Sequence, residues 1–146
     1  MAAEVLMFLV HLTTTAFMTA IIWFMQIGHY PMLRYVGREA YTTYEQQHVK
    51  RVMLPAVMIL LLELFSGFYL AFVPTQRLPS LPIHIGLVLL LPIWLSTWLW
   101  QVPAHKSLER KFDLRVHAWL INSNWLRTVA WSARLGLLLY ALFVSF

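Results

Sequence analysis

The chain contains no cysteine, which excludes disulfides, thiolate metal sites, cysteine nucleophiles and iron–sulfur clusters. Any metal ion would have to be held by His, Met, Glu or Asn. Charge is scarce as well. Only 12% of the 146 residues are Asp, Glu, Lys or Arg, about half the share in an ordinary soluble domain, where it is about 25%, so there is too little polar surface to face water. G-x-S-x-G, P-loop, dinucleotide and H-E-x-x-H motifs are missing, which leaves serine-hydrolase, nucleotide-binding and zincin readings without their chemistry. What is present is apolar: hydrophobic residues make up 60% of the chain. This is the composition of an integral membrane protein. At about 20 apolar residues per span, the length holds four helices and no separate soluble domain.

Four runs are long enough to cross. Val5 to Gly28 carries no formal charge, Val52 to Val73 only Glu63, Ile83 to Val102 none, and Thr128 to Phe146 only Arg134. The fold expected is therefore all-α, a single four-span transmembrane domain over 1–146 with spans near 5–28, 52–73, 83–102 and 128–146. Barrel strands would alternate every second residue instead. The first run is too long for a signal-peptide core and lacks a following small-residue cleavage site, so it reads as a retained span. Pro92 is a candidate kink in the third.

Cations set the orientation. Arg34, Arg38, Lys50, Arg51, Lys106, Arg110, Lys111, Arg115 and Arg127 fall after spans one and three, whereas only Arg77 follows span two. This asymmetry puts both basic connections in the cytoplasm and both termini outside, in a multi-pass protein of a bacterial-type inner membrane. The net charge of +5 belongs to one face, where it contacts anionic lipid; no nucleic-acid partner is implied. Each basic connection, about 25 residues long by count, is long for a compact bundle and reads as partly helical. REAYTTYEQQHVKR is helix-compatible, and Leu108, Phe112, Val116 and Trp119 recur at helical spacing, a segment expected to lie on the membrane surface or to extend span three. Pro74, Pro79 and Pro82 mark the external loop as non-helical.

Aligning His29 with His105 brings Arg34 onto Arg110, His48 onto Asn124 and Arg51 onto Arg127. The shared pattern H-x4-R-x13-[HN]-x2-R suggests a duplication, which would make two parallel two-helix repeats about an axis along the membrane normal. His29 and His105 would then face each other near the inner ends of spans one and three.

Helical spacing puts Asn124, Arg127, Trp131 and Arg134 on one face of span four. Arg134 and Glu63 lie at similar depths, roughly 12 and 16 Å from the inner ends of their spans at 1.5 Å per residue, and an unpaired charge there is costly. The two are expected to form a buried ion pair. His11, Thr15, Met18, Met25 and His29 form a coherent face of span one, and Trp94, Trp98, Gln101 and His105 one of span three. Facing helices of a bundle can converge ligands on a metal or cofactor. The candidates are His29, His48 and His105 with Glu45, which forms an E-x-x-H with His48. No second E-x-x-H completes a di-iron set, so one iron or copper ion suits this His-rich site better than haem. The haem alternative uses His11 and His84 as axial ligands, with Trp131 in the pocket wall. His105 with Glu109 reads as a surface helix pair, and Asp113 with His117 as solvated.

The runs IGHYPMLRYVGREAYTTYEQQHVKR, LSTWLWQVPAHKSLERKFD and NWLRTVAWSAR resemble a family of small bacterial four-span membrane proteins of uncharacterised function. More distantly, Asn124, Trp125 and Arg127 resemble the anthrone-oxygenase-like membrane proteins, four-span proteins linked to oxidation of aromatic polyketides. His11, RVMLPA and His84 are also similar to the membrane protoporphyrinogen oxidase, although Gly86 stands where that family has Lys. These resemblances imply redox chemistry.

The function expected is a membrane oxidoreductase, or a redox cofactor- or metal-binding protein, acting on a lipophilic small molecule at the cytoplasmic end. His29, His48 and His105 are candidate ligands or acid–base groups, Asn124 a ligand or hydrogen-bond partner, and Arg51 and Arg127 substrate anchors. A non-enzymatic binder or transporter, gated by Glu63 and Arg134, and an accessory subunit of a membrane complex are the alternatives. A homo-oligomer is compatible with each.

Overall fold

The structure, a computed structural model, describes residues 2–73 and 77–145. It is an all-α four-helix bundle: α1 (Ala3–Tyr35), α2 (Arg38–Phe72), α3 (Ser80–Leu108) and α4 (Leu114–Ser145) are each long and apolar enough to cross a membrane. Between 22% and 33% of each apolar window is buried, so most apolar side chains point outward, where lipid is their solvent. Leu54, Phe72 and Phe143 are among them. The helices pack in the cyclic order α1, α2, α3, α4, which sets α1 across from α3 and α2 across from α4.

The rods are longer than their charge-free cores. Arg38 to Arg51, although charged, is the first part of α2, and only Val36 and Gly37 separate it from α1. Both basic connections are thus mostly helix. The expected surface helix through Leu108 and Trp119 is instead divided: Leu108 ends α3, and Val116 and Trp119 lie in α4. Asp113 makes the division, accepting the amide N–H groups of Arg115 and Val116 at 2.7 and 3.3 Å, which satisfies donors that a helix start leaves open. Among the loop prolines, Pro74 lies outside the described residues, Pro79 is extended just before α3, and Pro82 sits inside its first helical turns.

Two π turns interrupt α1 and α3, at Met25–His29 and Thr97–Gln101. Pro31 and Pro103 follow them, and proline offers no N–H to the preceding turn. The turn widens, and Tyr30 and Val102 donate to the carbonyls of Met25 and Thr97, the i to i+5 pattern. The π turns are 72 positions apart (25 to 97), while α2 and α4 start 76 apart (38 to 114). The four extra positions are one more helical residue past the proline in α3 and a connection to α4 longer by three. The two halves share the order helix, π turn, proline, turn, long helix, and His48 and Asn124 occupy the same place in α2 and α4. A second irregularity falls at Leu89 in α3, three residues before Pro92.

Three apolar clusters fill the bundle along its length. Phe8, Leu70, Ile83 and Leu138 pack at one end, Met18, Ile22, Leu60, Ile93 and Trp131 in the middle, and Leu33, Tyr41, Leu108 and Leu120 at the basic end.

Candidate functional site

Polar side chains gather at two levels. At mid-depth, Arg134 donates to Glu63 Oε1 from Nη2 at 3.0 Å and from Nε at 3.3 Å. Thr15 adds a hydroxyl donor at 2.8 Å, and Trp131 Nε1 reaches both carboxylate oxygens at 3.2 Å. Arg134 also donates to the carbonyl of Gly86, close to the irregular turn of α3. The carboxylate thus has donors from α1 and α4, and the guanidinium acceptors from α2 and α3. One group of bonds ties all four helices, and it leaves neither charge unpaired in a region where that would cost several kcal/mol.

One turn outward from Glu63, the Ser66 hydroxyl donates to the Leu62 carbonyl at 2.6 Å. Its oxygen is left to accept from His11 Nδ1 at 2.9 Å. The imidazole lies against Gly67, where an added Cβ would come within 2.9 Å of His11 Cε1. His11 is therefore turned into the bundle. His84 is turned out of it, bonded to the Ser80 carbonyl at 2.7 Å and edge-on to Phe72. These two imidazoles present no common haem face, and Trp131 is committed to Glu63.

Met18, Ile22, Leu60, Leu90, Ile93 and Ala130 form an apolar layer below the Glu63 level. Beyond it, at the basic end, is the second polar group. His105 Nδ1 lies 2.5 Å from Glu45 Oε1. A carboxylate acceptor fixes the proton on Nδ1, so Nε2 is left to accept from the Tyr30 hydroxyl at 3.2 Å. Tyr30, His105 and Glu45 thus form a hydrogen-bonded line across α1, α3 and α2. His48 lies beside it, with its ring 5.9 Å from that of His105 and stacked 4.4 Å from that of His29. The guanidinium of Arg127 is beside the Tyr30 phenol and over the Trp131 ring.

Both π turns place a glutamine against α4. Gln26 accepts from Asn124 Nδ2 at 2.8 Å and donates to the Ile121 carbonyl at 3.2 Å. Gln101 donates to Ser123 at 2.8 Å. The wider π turn also rotates less per residue than an α-helix, so that Trp98, inside it, is 62% exposed although simple helical spacing puts it on the same face as Gln101. Several buried polar atoms at this end lack a protein partner: His29 Nε2, Glu45 Oε2, Gln101 Oε1, Asn124 Oδ1 and Arg127 Nε. Buried polar groups normally are paired, so this end has bonding capacity for something other than its own side chains.

The structure thus brings His29, His48, His105 and Glu45 together, with Asn124 and Arg127 on the adjoining helix. Arg51 is exposed on α2, three residues after His48. Glu109 lies in the turn after α3, and His105 pairs with Glu45 rather than with it. His117 is 3% exposed rather than solvated, because its Nε2 donates to the Tyr30 carbonyl at 2.8 Å, closing the end of α1. Tyr30, Gln26 and His117 are the participants that spacing arguments miss. The available signal was a Gln and a His–Tyr pair just before Pro31 in an otherwise apolar run.

A metal ion fits this arrangement poorly. Among the described residues, no group of three or more His, Cys, Asp or Glu is disposed to hold one. Imidazole lone pairs lie in the ring plane, and the rings of His29 and His48 stack face to face, 27° from parallel. Both nitrogens of His105 are engaged. Compared with known proteins, the chain matches no family model, no curated sequence and no solved structure.

Proposed function

We propose that the basic end of the bundle binds the oxygen-bearing head of a lipophilic small molecule, of the phenol or quinol class, and moves a proton to or from it, as the acid–base site of a membrane oxidoreductase. The observation that carries this reading is the line from Tyr30 through His105 to Glu45. A carboxylate that orients an imidazole makes the far nitrogen a general base, and here that nitrogen faces a phenol. Arg127 stands beside the phenol as a cationic hydrogen-bond donor, and the unpartnered atoms of Gln101 and Asn124 offer acceptors for a ligand hydroxyl. The reading takes the basic end as the cytoplasmic face of a bacterial-type inner membrane, on the cation asymmetry alone.

The test uses 1-naphthol, a lipophilic phenol with its own fluorescence, titrated into the purified full-length chain in detergent. Saturable binding that is lost in Tyr30→Phe and His105→Gln, with the helical signal unchanged, supports the reading; binding indifferent to both substitutions, or none, ends it.

A second reading rests on the three imidazoles within 5.9 Å of one another in series. Only if His29 and His48 turn out of their stack and His105 gives up its bond to Tyr30 are these three the residues that would hold iron or copper, which would supply one-electron chemistry. Elemental analysis of the wild type against a His29→Ala, His48→Ala variant decides: stoichiometric metal lost in the variant supports it, and no metal in the wild type removes it.

A further inference from the structure

The inner face carries a second concave feature, outside the histidine site. A cavity of about 630 Å³ is bordered by Arg38 and Thr42 of α2, Arg110 and Lys111 of the α3–α4 turn, and Arg115 of α4. A second, of about 470 Å³, adjoins it along Arg110 and Lys111 and is bordered by Lys106 and Ser107 of α3. Together they make one trough whose cations come from three helices. The orientation of a membrane protein asks only that cations lie near the ends of its spans. It does not ask that they converge on a hollow, where like charges repel.

The carboxylate in this trough is Asp113, and its Oδ1 is committed to the first amides of α4. Among the described residues, neither of the two ion pairs involves Arg38, Lys106, Arg110, Lys111 or Arg115. Hydroxyl donors stand at both ends, Thr42 and Ser107. The rim is apolar on one side, where Phe112 lines the cavity and Leu114 is 63% exposed. Guanidinium and ammonium donors arranged around a hollow match the several oxygens of a phosphate group.

We infer that this trough is a binding site for a phosphate group, carried either by the headgroup of an anionic lipid or by a soluble phosphate ester.

The experiment follows thermal unfolding of the purified full-length chain in dodecyl maltoside, with phosphatidylglycerol, pyrophosphate or oleate titrated in. A ligand of the folded state raises Tm by mass action. Phosphatidylglycerol, pyrophosphate or both are expected to raise Tm saturably, and oleate, a lipid carboxylate, to do so far less. The exposed pair Arg110→Gln, Lys111→Gln should weaken the response at least about tenfold, the loss of a charge-assisted hydrogen bond to the phosphate. Arg34→Gln, Lys50→Gln removes the same charge from the same face outside the trough and should leave the response unchanged. A response to phosphatidylglycerol alone assigns the lipid headgroup; a response to pyrophosphate assigns a soluble phosphate. The inference is overturned if neither probe raises Tm, if oleate matches phosphatidylglycerol while pyrophosphate is inert, or if the two double variants weaken the response equally.

Discussion

Arg134 of α4 reaches across the bundle to Glu63 of α2, meeting Oε1 at 3.0 Å, with both side chains almost fully enclosed. The pair joins diagonal helices that otherwise make few contacts. Removing one partner leaves the other charged and enclosed, which typically costs about 3–5 kcal/mol. Replacing both removes the charge problem and leaves the Thr15 and Trp131 donors and the Gly86 carbonyl to be satisfied. Arg134→Leu and Glu63→Leu are therefore each expected to destabilise strongly, and the double variant to fall at least about 2 kcal/mol short of their sum. Reversible unfolding in detergent measures the cycle. Additive effects would show that the pair is not coupled.

How much of this was readable beforehand depends on the kind of signal. Charge-free runs locate the spans because lipid excludes Glu and Lys wherever they lie unpaired, and depth arithmetic brings Glu63 and Arg134 to one level. The ends of the rods are not readable in that way: Arg38 to Arg51 is helical but polar, since beyond the bilayer a helix no longer has to be apolar. The π turns leave no periodic trace, because inserting one residue changes the face of everything before it without changing composition. The wider turn is what points Trp98 out of the bundle. His117 looks solvated among its charged neighbours, and only the end of α1 folding over it reveals its partner. The histidine cluster was legible as a spacing, but the Tyr30 line through it was not.

Gly67 makes room for an imidazole. A methyl group there would stand 2.9 Å from His11 Cε1, inside any tolerable contact, and the ring is held in place by Ser66. Gly67→Ala should cost about 1–3 kcal/mol, the range for overpacking a tight interior. Because the clash is with one side chain, His11→Ala in the same chain should make the Gly67→Ala substitution nearly free. The comparison of four Tm values checks this, and an undiminished cost in the His11→Ala background would place the strain elsewhere.

His117 closes the end of α1 by donating to the Tyr30 carbonyl at 2.8 Å. His117→Leu removes one of two donors to that carbonyl, which keeps the Leu33 N–H, a loss of about 0.5–1.5 kcal/mol. Since Tyr30 also carries the phenol of the site, 1-naphthol binding should weaken together with stability. His117→Gln keeps an N–H donor and should recover a good part of both. Equal loss in Leu and Gln variants would mean that the ring's packing, not its hydrogen bond, matters.

Glu45 fixes which nitrogen of His105 bears the proton, and that choice decides what Tyr30 can do. With the proton on Nδ1, facing Oε1 at 2.5 Å, Nε2 has a free lone pair and the phenol can only donate to it; with the opposite tautomer, the phenol would have to accept. Glu45→Leu removes the anchor and should let both tautomers populate, whereas Glu45→Gln, whose carboxamide oxygen still accepts, should keep the Nδ1–H form while losing the carboxylate charge. Nitrogen-15 spectra of labelled histidine distinguish the tautomers directly. The expected order is therefore a single tautomer in the wild type and in Glu45→Gln, and a mixture in Glu45→Leu. Wild-type spectra showing the proton on Nε2 would break the line at its centre, because a nitrogen that already carries a proton cannot serve as base to Tyr30.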